Sequence, residues 1–150
     1  IQRIIGRSLR AVTDMEALGE RTVILDCDVL QADGGTRTAA ITGAYVALYQ
    51  ATLHLVRQKA LSSLPLNGAV AATSVGIVDG EMILDMCYGE DARADVDFNV
   101  VMTDAGEFVE LQGTAEGSTY DHKTMNELVA TAQRGIEALL EIQRAAVKSL

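Results

Sequence analysis

Two apolar runs, Ala69 to Val78 and Met82 to Tyr88, stand on either side of Asp79-Gly80. Asp-Gly reaches the left-handed backbone of a two-residue hairpin at least cost, so the runs are expected to pair as antiparallel strands. A loop, Gly89 to Asp95, leads into a third strand, Val96 to Thr103. Asp104-Ala105-Gly106 then turns the chain into a fourth, Glu107 to Gln112. The middle of the chain is therefore committed to a sheet, and the flanking segments must supply what covers it.

Those flanks repeat at helical spacing. Ile4, Ile5, Leu9, Ala11, Val12, Met15 and Leu18 fall on one half of a helix, with Arg3, Arg7, Arg10 and Asp14 on the other and Gly19 as its stop. Thr22 to Gln31 reads as a strand, with Val23, Leu25, Cys27 and Val29 on one side and Asp26 and Asp28 on the other. From Thr36 to Lys59 an Ala-rich segment places Ile41, Tyr45, Leu48, Thr52 and Leu55 at helical intervals, and its short side chains predict a mostly buried helix. Leu61 to Asn67 holds the only proline, Pro65, and reads as a linker. Asp121 to Leu150 is a long amphipathic helix with Met125, Leu128, Ala132, Ile136, Leu139 and Leu140 on one face. The expected fold class is α+β, a single domain over residues 1–150 with helices on a mixed, largely antiparallel sheet.

The 150 residues, 49% hydrophobic and 22% charged, suit one packed core. No run of 18 apolar residues and no signal-peptide layout is evident, which points to the cytoplasm and away from a membrane. Cys27 and Cys87 show no metal-ligand spacing and read as small core residues. The net charge of −9 argues against simple phosphate-backbone binding. It is uneven, however: Arg3, Arg7, Arg10, Arg21 and Arg37 supply five of the twelve basic residues within the first quarter. A local anion site is compatible with the acidic total.

Asp33-Gly34-Gly35-Thr36-Arg37-Thr38 lies between the expected strand and helix, where free backbone N–H groups make an anion site. The glycines let the main chain approach a ligand, Thr36 can cap the helix or donate to an oxygen, and Arg37 carries a planar fork suited to phosphate. An ordinary strand-to-helix turn has the same spacing. The segment lacks a Gly-Lys-Ser/Thr ending and so gives no support to triphosphate hydrolysis.

Glu90-Asp91-Ala92-Arg93-Ala94-Asp95-Val96-Asp97 packs four carboxylates into eight residues. Such density needs solvent, arginine or a hard cation such as Mg²⁺ or Mn²⁺ to relieve repulsion. Asp97 should share a strand face with Asn99, and Asp91 should approach from the preceding loop; a solvated acidic turn is the competing reading. His54 and His122 are isolated from any triad partner. The Arg3, Arg7 and Arg10 stripe is a solvated or subunit-facing side that could touch RNA phosphates. Six Phe and Tyr and no tryptophan leave little for base stacking.

Several strings resemble ribonuclease PH: Ile4 to Ala11, Asp26 to Ala39, Glu90-Asp91 with Asp97 to Val101, and Gln112 to Gly117. The resemblance covers essentially the whole chain in order, with Met86-Cys87-Tyr88-Gly89 departing from the family pattern. It implies a 3′-to-5′ phosphorolytic exoribonuclease that trims precursor tRNA, uses inorganic phosphate as co-substrate and can run in reverse. By that resemblance Gly35, Thr36 and Arg37 bind phosphate, while Asp91 and Asp97 are the catalytic pair that holds Mg²⁺ or Mn²⁺. The implied fold is an α/β unit with a βαβ core of ribosomal-protein type, assembled as a hexameric ring of dimers that grips RNA through few arginines. The family's N-terminal part, including a further phosphate-binding arginine, has no counterpart here, and the natural protein is expected to begin upstream of Ile1. The alternative within the same resemblance is a catalytically silent ring subunit that guides RNA. Outside it, a small phosphate- or nucleotide-binding module is the competing class.

Overall fold

The structure is a computed structural model that describes residues 2–117 and 119–150; Ile1 and Ser118 lie outside it. The chain forms α1 (Gln2–Ala11), α2 (Met15–Leu18), α3 (Thr36–Arg57), β1 (Val70–Val78), β2 (Glu81–Leu84), α4 (Tyr88–Asp91), β3 (Val96–Thr103), β4 (Phe108–Ala115) and α5 (His122–Lys148). The α+β class and the antiparallel sheet are as expected. Strand order is β2-β1-β3-β4, and every strand pair among the described residues is antiparallel. The hairpin forms where Asp79 and Gly80 have φ of 54° and 81°, the left-handed pair that its turn requires.

The first helix does not run through to Leu18. Thr13 turns its hydroxyl onto the Leu9 carbonyl at 2.7 Å, and the Asp14 carboxylate accepts from the N–H groups of Glu16 and Ala17, so a new helix starts at Met15. Short polar side chains that compete for backbone groups break a helix where apolar periodicity is blind to them. Gly19 is the stop, at φ 70°.

The strand expected at 22–31 is likewise unformed. Its composition is β-prone, but among the described residues its backbone makes no ladder bond, and a strand without a partner is not one. Ile24 and Leu30 are 87% and 94% exposed. Cys27 and Cys87, expected in the core, are both exposed free thiols.

Helices cover both faces of the sheet. Val70, Ala72, Ser74 and Gly76 of β1 share one face with their register partners Thr103, Val101, Asn99 and Asp97 of β3. On this side lie α3, whose N-terminal Gly35 approaches Ser74, and α1, whose Arg7 pairs with Glu110 of β4 at 2.8 Å. The opposite face takes α5, where Leu84 packs at Gly135 and the Thr131 hydroxyl meets the Met82 sulfur. Leu128, Ala132, Ile136 and Leu140 of α5 are buried there, each large side chain contributing about 1.5–3 kcal/mol.

β2 reaches only the C-terminal half of β1, and the rest of that edge is closed by other groups. The carbonyls of Val70, Ala72 and Ser74 accept from Gln143 Nε2, the Thr42 hydroxyl and the Asp85 N–H respectively. This is how α3 and α5 protect an open strand edge. α3 is buried on one side only, through Thr38, Ile41, Ala44, Tyr45, Leu48 and Thr52, rather than all round as its composition suggests. By length and composition it would also suit a membrane span, but here its buried side packs on β1.

Candidate active site

The turn before α3 has little conformational choice. Gly35, the residue preceding the first helical turn, sits at φ 68° and ψ 18°, a left-handed conformation that favours glycine. Gly34 has no room for a side chain, because a Cβ there would overlap the Met86 carbonyl oxygen. The first helical bond of α3 is from Ala39 N–H to Gly35 O, which leaves the N–H groups of Thr36, Arg37 and Thr38 pointing out of the helix start. No side chain caps this end: the Thr38 hydroxyl donates back to the Gly35 carbonyl at 2.8 Å. Of the two roles open to Thr36, capping is therefore not used, and its hydroxyl stays available to a ligand. Arg37 is exposed beside it.

Asp97 enters from β3 directly opposite Gly76. Its Oδ2 accepts from Asn99 Nδ2 at 3.4 Å, as expected of two residues sharing a strand face, while Oδ1 is buried without a partner. Burial pushes the Asp97 carboxyl above its usual range, the Asp91 carboxylate pushes it further, the Arg37 guanidinium pulls it back and Glu116 adds a smaller upward push. The arginine of the glycine turn and the acidic residue of the preceding loop thus both act on Asp97.

Asp91 reaches this place on α4, a single turn in a segment that reads as plain loop in the sequence. The Glu90 carboxylate accepts from Cys87 N–H at 2.8 Å and so caps the turn, while Arg93 ties it to the hairpin through Asp79 at 3.0 Å. Beneath it Val78, Met86 and Ala94 form a small separate apolar cluster.

The pair suits a hard cation. Two carboxylates, one with an unpartnered buried oxygen, offer the oxygen donors that Mg²⁺ or Mn²⁺ takes together with water and substrate phosphate. Among the described residues no group of three or more acidic, His or Cys side chains forms a full protein cage.

Four neighbours have no role assigned from the sequence. Asp33 accepts from Gly34 N–H at 2.8 Å and also from Tyr88 N–H, and these bonds hold its carboxyl below the usual range, the Tyr88 bond most of all. Asp85, at φ 57°, and the buried Ser74 hydroxyl both face Gly35. Glu116 completes the set around Asp97. Only Asp33 carries a local signal, an aspartate immediately before a glycine turn.

The arginine stripe is divided by the structure. Arg7 is paired to Glu110 and Arg10 lies over Gly6, with its guanidinium 3.4 Å from that residue's Cβ position, while Arg3 is exposed. His54 is exposed, and His122 opens α5 with its ring nitrogen 3.0 Å from Asn126 Nδ2, so neither joins the site.

Two family models match the chain in succession, "3′ exoribonuclease family, domain 1" over residues 1–54 and "3′ exoribonuclease family, domain 2" over residues 68–135. The chain belongs to the 3′ exoribonuclease family. The family's two parts lie on either side of Pro65, yet one apolar core runs through both, from Leu9 and Ile41 to Val100 and Leu128. Solved structures share the fold. Rice (Oryza sativa) Rrp46 superposes with a TM-score of 0.68 at 14% identity, over 97% of this chain and 63% of that one. A chain of the Archaeoglobus fulgidus exosome with RNA bound to the active site gives 0.70 at 20%, over 93% and 58%. An archaeal exosome core gives 0.67 at 20%, over 95% and 61%. The chain therefore spans about three fifths of the length of these solved relatives.

Proposed function

We propose that this chain carries the phosphate and acidic groups of a 3′-to-5′ phosphorolytic exoribonuclease acting on precursor tRNA. The observation that carries the reading is the convergence on Asp97, whose buried Oδ1 has no partner: Arg37, at the open start of α3, and Asp91, on α4, both lie close enough for their charges to act on its carboxyl. A helix start alone accommodates many anions. One set beside two carboxylates that can hold a hard cation fits a reaction between two phosphate groups.

Orthophosphate would sit on the Thr36 and Arg37 N–H groups, gripped by the Arg37 fork and admitted by Gly35. One of its oxygens attacks the phosphorus of the last internucleotide linkage. The bond from phosphorus to the 3′ oxygen breaks, the terminal nucleotide leaves as a nucleoside diphosphate, and the proton ends on the new 3′-hydroxyl. Fixing both phosphates turns a two-body encounter into a positioned one, which can lower the barrier by several kcal/mol. A cation on Asp91 and Asp97 would offset negative charge developing on the linkage. No serine or cysteine nucleophile is required.

RNA contact through exposed arginines such as Arg3, and a homomeric ring of six, belong to the same reading. A silent ring subunit would have no chemical use for both the anion groups and the acidic pair. Incubating the protein with 3′-extended tRNA, with and without phosphate, and identifying the product discriminates these readings. Nucleoside diphosphates appearing only with phosphate support phosphorolysis. Monophosphates, equal rates without phosphate, or no release at all would refute it.

A further inference from the structure

The proposed chemistry needs the phosphate loop and the Asp91 turn to keep a fixed separation, although Asp33 and Tyr88 are 55 positions apart in the chain. Asp33 bridges that gap. Its Oδ1 takes the N–H of Gly34, inside the phosphate loop, and the N–H of Tyr88, the first residue of α4. Asp91 stands at the other end of that one turn, its N–H bonded to the Cys87 carbonyl at 2.9 Å. The two loops also touch through their backbones, since the Met86 carbonyl oxygen occupies the space a Gly34 Cβ would need. A second tie anchors the far side, where Asp85 N–H donates to the Ser74 carbonyl at 2.8 Å while both side chains face Gly35.

We propose that Asp33 is a positioning residue that couples the anion loop at α3 to the Asp91 turn, so that filling one site tightens the other. The inference rests on the phosphorolytic reading for its ligands, but not for its geometry. One carboxylate oxygen shared by N–H groups of two loops makes either loop's displacement the other's displacement. A charged acceptor is stronger than a neutral one, yet the coupling needs only an acceptor at that point. The substitution Asp33→Asn keeps an acceptor and Asp33→Ala removes it, so the two variants separate acceptor from charge.

Binding of Mn²⁺ to the protein is measured by electron paramagnetic resonance with and without inorganic phosphate, in the parent, Asp33→Ala and Asp33→Asn, each first checked for an unchanged circular dichroism spectrum and melting. In the parent, phosphate should tighten Mn²⁺ binding on the order of tenfold, and by reciprocity Mn²⁺ should tighten phosphate equally. Asp33→Ala should cut that enhancement below about twofold, while Asp33→Asn should keep most of it. The coupling is overturned if the parent shows no enhancement, if Asp33→Ala preserves it, or if Asp33→Asn loses it as completely as Asp33→Ala. If the enhancement behaves as expected but tRNA yields no phosphate-dependent product, the phosphorolytic reading falls and the coupling stands. If the parent is active and its linkage survives Asp33→Ala, the coupling falls and the phosphorolytic reading stands.

Discussion

Asn99 donates through Nδ2 to Asp97 Oδ2 at 3.4 Å, and the other oxygen of that carboxylate is buried with no partner. Asp97 is thus held in place but left electrostatically unsatisfied. Burial and the Asp91 charge raise its pKa, so the folded protein keeps this proton more tightly than the unfolded chain does. Its contribution to stability is then full below the ordinary carboxylate value of 3.8 and is lost as pH rises through the raised value. Replacing it with a neutral amide should relieve that loss. Asp97→Asn is expected to melt higher than the parent at pH 7, with the difference closing in acid, and to lose turnover by at least ~100-fold. The group is partly open to solvent, so the stability gain is small. Melting curves across pH, run beside phosphorolysis assays, check both halves.

Proton and cation compete for the same oxygens. A ligand carboxylate must be ionised, so the raised Asp97 pKa makes Mn²⁺ affinity fall as pH drops through that value. A chelator should abolish activity, and the Mn²⁺ concentration for half-maximal rate should rise steeply at acid pH. In Asp97→Asn this pH dependence should flatten, which a titration of Mn²⁺ binding at several pH values would show.

Arg37 is exposed and serves the fold little, so its loss should appear in ligand binding. A charge-assisted pair is worth about 1.5–3 kcal/mol, so Arg37→Ala should raise the phosphate KM roughly 10- to 100-fold. The melting temperature should stay unchanged. Kinetics at varied phosphate, with circular dichroism as control, test this.

Gly34 makes the opposite case, where geometry rather than charge is at stake. A methyl group overlapping the Met86 carbonyl must push the two loops apart. Gly34→Ala should cost about 1–3 kcal/mol in stability and weaken phosphate and Mn²⁺ binding together. Denaturant unfolding and direct binding measurements would reveal whether both change.

The elements with their own periodicity are legible in the sequence: the Asp79-Gly80 hairpin, β3, and α5 with its Leu128 to Leu140 stripe. Gly35, Thr36, Arg37, Asp91 and Asp97 can be named as candidates because turn chemistry and charge density are local properties. What escapes depends on partners far along the chain. The break at Thr13-Asp14 is stitched by Asp14 N–H to the Pro65 carbonyl and Asn67 N–H to the Val12 carbonyl, contacts no window of residues 2–18 contains. Residues 22–31 look like a strand because propensity records side-chain preference, whereas a strand also needs a neighbour to bond. Asp33 reads as turn chemistry, while its bond to Tyr88 lies in the segment, Met86 to Gly89, that departs from the family pattern.

Whether the start of α3 seats orthophosphate beside Asp91 and Asp97 can be seen in crystals of the protein soaked in phosphate. An anion should lie within hydrogen-bonding distance of the Thr36 and Arg37 N–H groups, with the Arg37 guanidinium folded onto it. An empty loop with Arg37 turned away, or an anion bound only elsewhere, would rule that seat out.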